Sequence, residues 1–83
     1  MNPRPIRVFP KTDYKLEIEF SNKEVRIFDM NPHLDFGVFK ELKDVGYFLQ
    51  AKVENGTVTW PHEQDVCPDT LYEASKPVDK QVA

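Results

Sequence analysis

The chain contains one stretch, Tyr47 to Pro61, whose residues strongly constrain its local folding. Within it, Asn55 and Gly56 lie between two runs of alternating apolar and polar residues. An Asn-Gly pair readily adopts the two positive φ angles of a type I′ turn, so we expect a two-residue hairpin loop here. Alternation then places one set of side chains on the inner face: Leu49, Ala51, Val53, Val58 and Trp60. The stretch therefore predicts a half-buried antiparallel hairpin.

A second hairpin is predicted upstream of the first. Residues 14–20 alternate without a fault, with apolar side chains at the inner positions Tyr14, Leu16, Ile18 and Phe20. Residues 24–29 return after a turn at Asn22-Lys23, in a register that places Phe20 opposite Val25. Lys23 stands where the other hairpin has Gly56, so strain or another turn type is expected there. Ile6 to Phe9, which ends at Pro10, predicts a short edge strand.

Helical segments are predicted after each hairpin. Leu34, Val38, Leu42 and Val45 recur near helical spacing before Gly46, which suits a helix C-terminus, and Pro68 to Ala74 predicts a second short helix. Asp29 to Pro32 and Asp65 to Pro68 occupy equivalent positions after the two hairpins. Two copies of a hairpin-then-helix unit explain this match, and chance similarity between two ordinary hairpins is the alternative.

The composition is that of one small domain. The chain has 83 residues, of which 40% are hydrophobic and 30% charged, a balance typical of globular proteins. We therefore expect a small α+β fold over residues 1–75. It would contain one antiparallel sheet, made of the two related hairpins and the N-terminal edge strand, together with two short helices. Residues 76–83 contain proline and charge but little apolar bulk, which predicts a flexible C-terminal tail.

Charge and cysteine content narrow the classes of function. The formal net charge of −3 argues against general electrostatic attraction to nucleic acid, so direct nucleic-acid binding is not expected. A single cysteine, Cys67, excludes an internal disulfide and favours a reducing, cytoplasmic location. No apolar run approaches eighteen residues, and the N-terminus lacks the apolar segment of a signal peptide. We expect no membrane association.

One loop gathers side chains of the types that bind metals or act as nucleophiles. His62, Glu63, Asp65 and Cys67 supply imidazole, carboxylate and thiol groups within six residues. However, the loop has only one histidine and one cysteine, and Val66 stands where a zinc-protease motif requires its second histidine. A polar loop, with Asp65 capping the following helix, is therefore favoured. We expect no catalytic residue, no cofactor and no metal.

Four segments together resemble a known family: YKLEIEFSNKEVRIFD, DFGVFKELKD, YFLQAKVENGTVTWP and DVCPDTLYE. From Ile6 to about Glu73 the chain is similar to the bacterial family designated domain of unknown function 2442. The resemblance implies a small α+β domain, fused in some members to a helix-turn-helix DNA-binding segment. It also implies genes that neighbour another small family, with which a toxin–antitoxin pair is suspected. Members usually have glycine in the first hairpin turn, where this chain has Lys23.

The sequence therefore predicts a protein-interaction or regulatory module, antitoxin-like, rather than an enzyme. The alternative is a nucleic-acid-associated accessory protein of a transcription regulator. The expected interaction surface comprises four aromatic side chains: Phe28, Phe48, Trp60 and Tyr72. Phe28 and Phe48 are placed on the outer faces of their strands, which predicts a homodimer in addition to a protein partner. Pairing of the edge strand between two copies is a second route to the same dimer.

Overall fold

The computed structural model describes residues 2–78, which form two small antiparallel sheets and several short helical segments. The first sheet contains β1 (Pro5–Pro10), β2 (Lys15–Phe20), β3 (Val25–Asp29) and β7 (Lys76–Pro77), in that order. The second contains β4 (Lys52–Glu54), β5 (Thr57–Thr59) and β6 (Asp65–Val66). The α+β class is confirmed, although the two predicted hairpins belong to separate sheets.

The strand β2 follows the predicted alternation. Leu16, Ile18 and Phe20 are fully buried, while the residues between them lie on the opposite face. β1 pairs with β2 at the edge of the sheet, as expected. On the other side, Lys76 and Pro77 of β7 pair with β3, and the Val78 N–H donates to the Val25 carbonyl at 2.9 Å. Two residues assigned to the tail thus belong to the sheet, and residues 79–83 lie outside the described part.

The predicted register of the first hairpin is wrong by one residue. Phe28 lies opposite Leu16, and Arg26 lies opposite Ile18. The loop contains three residues, because the Lys23 N–H donates to the Phe20 carbonyl and the Phe20 N–H donates to the Glu24 carbonyl, both at 2.8 Å. Lys23 closes this loop with a positive φ of 75°. Since side chains alternate along a strand, the shift moves Phe28 from the outer face to the core.

The same three-residue loop occurs three times. The other two copies end at Tyr14 (φ 66°) and Glu63 (φ 73°), with the matching pair of backbone hydrogen bonds around each loop. Such loops combine a type I turn with a left-handed residue, a position that favours glycine. All three copies place a residue with a side chain there, so each loop carries a local conformational cost.

The second hairpin has the predicted two-residue loop. Val53 lies opposite Val58, and Asn55 (φ 54°) and Gly56 (φ 77°) both adopt positive φ, as a type I′ turn requires. Because this loop is one residue shorter than the loop of the first hairpin, the inner faces of the two hairpins do not stay equivalent beyond the turns. The hairpin-then-helix repeat is therefore not maintained in the structure.

The segment between the hairpins departs from the predicted helix. It forms a 3₁₀ helix over Gly37–Lys43 and a short α-helix, α1, over Val45–Phe48. Gly37 has the positive φ of 48°, and Gly46 instead lies inside α1, where its N–H donates to the Asp44 carboxylate at 3.0 Å. Leu49, expected in a strand, follows α1 and is 39% exposed.

The second predicted helix is confirmed as α2 (Pro68–Glu73). Asp65 was expected to cap it but lies in β6 instead. The residue at the N-cap position is Cys67, whose side chain makes no capping hydrogen bond. The Asp29 carboxylate does accept the Asn31 N–H, at 2.9 Å.

One core joins the two sheets. The Trp60 indole donates to the Phe48 carbonyl at 2.9 Å, and the ring of Phe48 lies edge-on to that of Tyr14, with centroids 5.3 Å apart. The buried apolar residues are Leu16, Ile18, Phe20, Phe28, Met30, Leu34, Leu42, Phe48, Val58, Trp60, Val66 and Leu71. Both sheets and the intervening helices contribute to this list, so the described residues form one domain.

Candidate functional site

The predicted interaction surface does not exist as a surface in this fold. Phe28, Phe48 and Trp60 are at most 1% exposed, because the register shift turns Phe28 inward and α1 turns Phe48 toward Trp60. Tyr72 is half-buried and lies edge-on to Phe20, with ring centroids 5.2 Å apart. The prediction is therefore wrong for the first three residues, which stabilise the core.

Tyr72 takes part in a contact that fastens α2 to the first sheet. The Arg26 guanidinium lies 4.5 Å from the Tyr72 ring centroid and donates to the Ser75 carbonyl at 2.7 Å and the Ser75 hydroxyl at 2.8 Å. Hydrogen bonding of the Tyr72 hydroxyl to Glu24, followed by desolvation, raises the pKa of that phenol. The Arg26 side chain is thus committed to the fold, so Tyr72 has a structural partner.

The exposed apolar side chains concentrate elsewhere. Six large apolar residues of the described chain are exposed, and four of them belong to residues 36–49. These four are Phe36 (65% exposed), Val38 (68%), Val45 (38%) and Leu49 (39%). We call them the apolar segment. Scattered exposed apolar residues are normal on proteins, but four within fourteen residues indicate a site of interaction.

The backbone that carries the apolar segment is anchored on the core. Leu42 and Phe48, within the same stretch, are fully buried. Backbone carbonyls of the stretch accept hydrogen bonds from other parts of the chain: the Val38 carbonyl from Gln64 Nε2 at 3.2 Å, and the Lys43 carbonyl from the Tyr14 hydroxyl. The exposed side chains therefore project from an ordered backbone.

A polar cluster holds the loop after β5 against this stretch. Gln64, which is only 4% exposed, donates to Glu41 at 2.8 Å and accepts from the Tyr47 hydroxyl at 2.6 Å. His62 Nδ1 lies 2.7 Å from the other Glu41 oxygen, and the His62 N–H donates to the Tyr47 hydroxyl at 2.9 Å. A buried amide needs such partners, and here every polar atom of Gln64 has one.

The His62–Glu41 pair resembles the oriented imidazole of a catalytic dyad, but a dyad acts on a nucleophile within hydrogen-bond reach. In residues 2–78, no hydrogen bond joins His62 to a serine, threonine or cysteine side chain. Nor do three or more histidine, cysteine, aspartate or glutamate side chains of that range converge as metal ligands would. Cys67 is exposed. The cluster therefore positions the loop.

Comparison with known proteins was informative at the level of the family. The family described as Protein of unknown function (DUF2442) matches residues 5–77. The chain belongs to the DUF2442 family. No curated protein and no solved structure matched the chain. The matched residues of this DUF2442 domain begin with β1 and end with β7, so the family match spans both sheets.

One further feature of the DUF2442 domain bears on its surroundings. Among residues 2–78, none of the helices has the length and apolar character needed to span a bilayer.

The apolar segment escaped sequence reasoning, although a signal was present. The run Phe36-Gly37-Val38-Phe39 places three apolar side chains within four residues. Only Phe39 packs against the core of this DUF2442 domain, and the positive φ of Gly37 directs its neighbours differently from a regular helix. A continuous apolar run in a two-turn helix on the surface has more apolar side chains than one buried face accepts. That excess was the available signal.

Proposed function

We propose that this DUF2442 chain is a protein-interaction module with a regulatory, antitoxin-like role in the cytoplasm. In this proposal it binds a protein partner through the apolar segment. The observation that carries the proposal is the placement of Phe36 and Val38, about two-thirds exposed, on a backbone anchored by Gln64 and buried Leu42. The single exposed cysteine and the resemblance to families that neighbour small partner genes support the compartment and the role.

The anchoring favours binding because little order has to be gained. Association costs free energy for every side chain and loop that becomes immobilised, and an ordered backbone reduces this cost. Aromatic and aliphatic side chains at the centre of an interface commonly contribute most of its affinity, within a polar rim. Phe36 and Val38 fit the first role. The neighbouring charged residues Asp35, Lys40 and Lys43 fit the second.

A different protein fits this surface better than a second copy. The exposed surface of 5116 Å² is close to the roughly 5,100 Å² expected for a folded monomer of this mass, so one chain already closes its core. The predicted Phe28 and Phe48 contact is closed by their burial. At the other predicted contact, Val8 and Pro10 face the free edge of β1, and Pro10 has no N–H to donate.

The basic side chains also favour a protein over a nucleic acid. Residues 2–78 contain ten lysines and arginines, the eleven of the chain less Lys80. Six of the ten lie within 4.0 Å of a carboxylate: Arg7, Lys11, Lys15, Arg26, Lys43 and Lys52. A phosphate backbone would have to displace most of these pairs, so the arrangement does not suit a phosphate-binding surface.

The test compares tagged variants in affinity capture from native lysate, followed by direct measurement with the purified partner. Phe36→Asp and Val38→Asp place a charge in the apolar segment. Phe9→Asp is the matched control, since Phe9 is 49% exposed on the first sheet. We expect the parent and the control to retain one protein that both segment variants lose, with affinity weakened at least about tenfold.

Equal retention by all variants would contradict the proposal, as would capture that disappears with Phe9→Asp but survives Phe36→Asp. Sedimentation equilibrium of the parent distinguishes the second occupant. A mass of twice 9.7 kDa that reverts to monomer with Phe36→Asp would show that the segment binds another copy of the chain, against our proposal.

A further inference from the structure

The outer face of the first sheet carries a groove that is separate from the apolar segment. Two open depressions, of about 740 Å³ and 330 Å³, lie side by side on this face. The first is lined by Pro10, Lys11, Thr12, Asp13, Lys15 and Ile27, and the second by Lys15, Ile27, Asp29, Ala74 and Lys76. Because Lys15 and Ile27 line both, the depressions form one continuous groove.

The groove crosses all four strands. Lys11 follows the end of β1, Lys15 begins β2, Ile27 lies in β3 and Lys76 in β7. Ile27 is directly paired with Lys76, and Lys15 with Asp29. Neighbouring strands are separated by about 4.8 Å, so the groove extends over roughly 14 Å from β1 to β7. An extended peptide covers this length with about four residue steps of 3.3 Å.

The lining is cationic on an acidic protein. Three lysines, Lys11, Lys15 and Lys76, face two aspartates, whereas the whole chain has a net charge of −3. Within residues 2–78, Lys76 forms no ion pair, and the Lys15 ammonium lies 3.8 Å from Asp13 with both side chains exposed. Exposed pairs of this kind contribute little free energy, so these ammonium groups remain available to an incoming carboxylate.

Asp29, the other aspartate of the lining, already has partners. Its carboxylate accepts the Asn31 N–H at 2.9 Å and the Asn31 amide at 2.7 Å. Desolvation raises the pKa of the Asp29 carboxyl, but the hydrogen bonds from Asn31, together with nearby Lys15 and His33, outweigh it and lower that pKa overall. Asp29 therefore serves the turn after β3, and its charge is compensated locally.

We propose that the groove binds an extended acidic peptide segment of a partner protein. Apolar surface from Ile27 lies at the middle of the groove, with lysines toward both ends. The complementary segment has carboxylates at its first and fifth residues and an apolar side chain at the third, since alternate residues of an extended chain share one side. This surface and its ligand are independent of the apolar segment.

The probe is the acetylated and amidated pentapeptide Glu-Ala-Leu-Ala-Glu, titrated to millimolar concentration into the ¹⁵N-labelled full chain. We expect amide chemical-shift changes centred on Lys15, Ile27 and Lys76. The neutral peptide Gln-Ala-Leu-Ala-Gln should bind at least about fivefold more weakly, and added salt should weaken the acidic peptide, because screening shortens the reach of charges.

Charge reversal locates the site. Lys15→Glu and Lys76→Glu should each weaken binding at least about fivefold, whereas Lys52→Glu, an exposed lysine of β4 on the other sheet, should leave it unchanged. Unchanged spectral dispersion in each variant would establish that it is folded. Equal losses in all three variants would overturn the proposal as general charge attraction. Absence of shifts around Ile27, or shifts there that depend only on protein concentration, would overturn it as well.

Discussion

A Phe28→Asp variant is expected to lose most or all of its stability. Phe28 is 1% exposed and lies opposite buried Leu16, with its ring stacked on His33 at a centroid distance of 5.5 Å. Loss of such an aromatic side chain costs about 3–5 kcal/mol, and a buried carboxylate adds to that cost. A domain of this size has only about 4–12 kcal/mol of stability, from roughly 0.05–0.15 kcal/mol per residue. Urea unfolding followed by circular dichroism measures the effect.

Phe9→Asp is the matched control on the same sheet. Phe9 points to the outer face and is 49% exposed, so its loss should cost less than about 1 kcal/mol, including repulsion from the paired Glu17. Under the register expected from the sequence, the Phe28 side chain would have been the outer one and its variant the mild one. A folded Phe28→Asp protein would restore that register and contradict the fold described here.

Gly56→Val is expected to destabilise the chain by about 1–3 kcal/mol. Gly56 has a φ of 77°, where a β-branched side chain is strained. A Cβ at this position would also lie 3.3 Å from the Arg4 side chain, closer than ordinary contacts allow. The urea midpoint should fall with an unchanged slope, because the surface exposed on unfolding stays the same. Coincident midpoints would show that the turn does not require glycine.

Lys23→Gly tests the same physics in the opposite direction. Lys23 holds a φ of 75° in the loop of the first hairpin, so glycine should relieve strain and raise stability by about 0.5–1 kcal/mol after its entropic cost. Lys40→Gly is the matched control, since this exposed lysine lies in the 3₁₀ helix, where glycine should be unfavourable. A gain in Lys40→Gly equal to that in Lys23→Gly would exclude strain relief as the cause.

The strands could be predicted because their signals are local. Alternation over residues 14–20 located β2, and Asn55-Gly56 located the second hairpin with its full register. The register of the first hairpin could not be predicted in the same way. It depends on a left-handed Lys23, and a lysine gives no indication that its φ will be positive. One residue in one loop therefore decided which face of β3 became core.

The candidate site was harder to predict than the strands. Aromatic residues were expected on the surface, yet Phe48 and Trp60 are buried, because tertiary packing places a large ring wherever the core has room. Helical spacing of Leu34, Val38 and Leu42 suggested a common buried face, but the 3₁₀ winding leaves Val38 68% exposed. Exposure of the apolar segment follows from that winding, which periodicity alone does not reveal.

The central claim is that this domain folds without using the side chains of the apolar segment and so leaves them for a partner. Most substitutions of exposed side chains change stability by at most about 0.5 kcal/mol, whereas core substitutions cost several times more. Phe36 and Val38 make the distinction sharp, because they lie on either side of Gly37 in a stretch whose Leu42 is fully buried.

The most direct test is the free energy of unfolding of the Phe36→Asp/Val38→Asp double variant, measured by urea denaturation beside the parent chain. The account predicts a difference within about 0.5 kcal/mol, with an unchanged denaturant slope. A loss of about 2 kcal/mol or more, which approaches that of a core substitution, would show that these side chains hold the fold together and are not free for a partner.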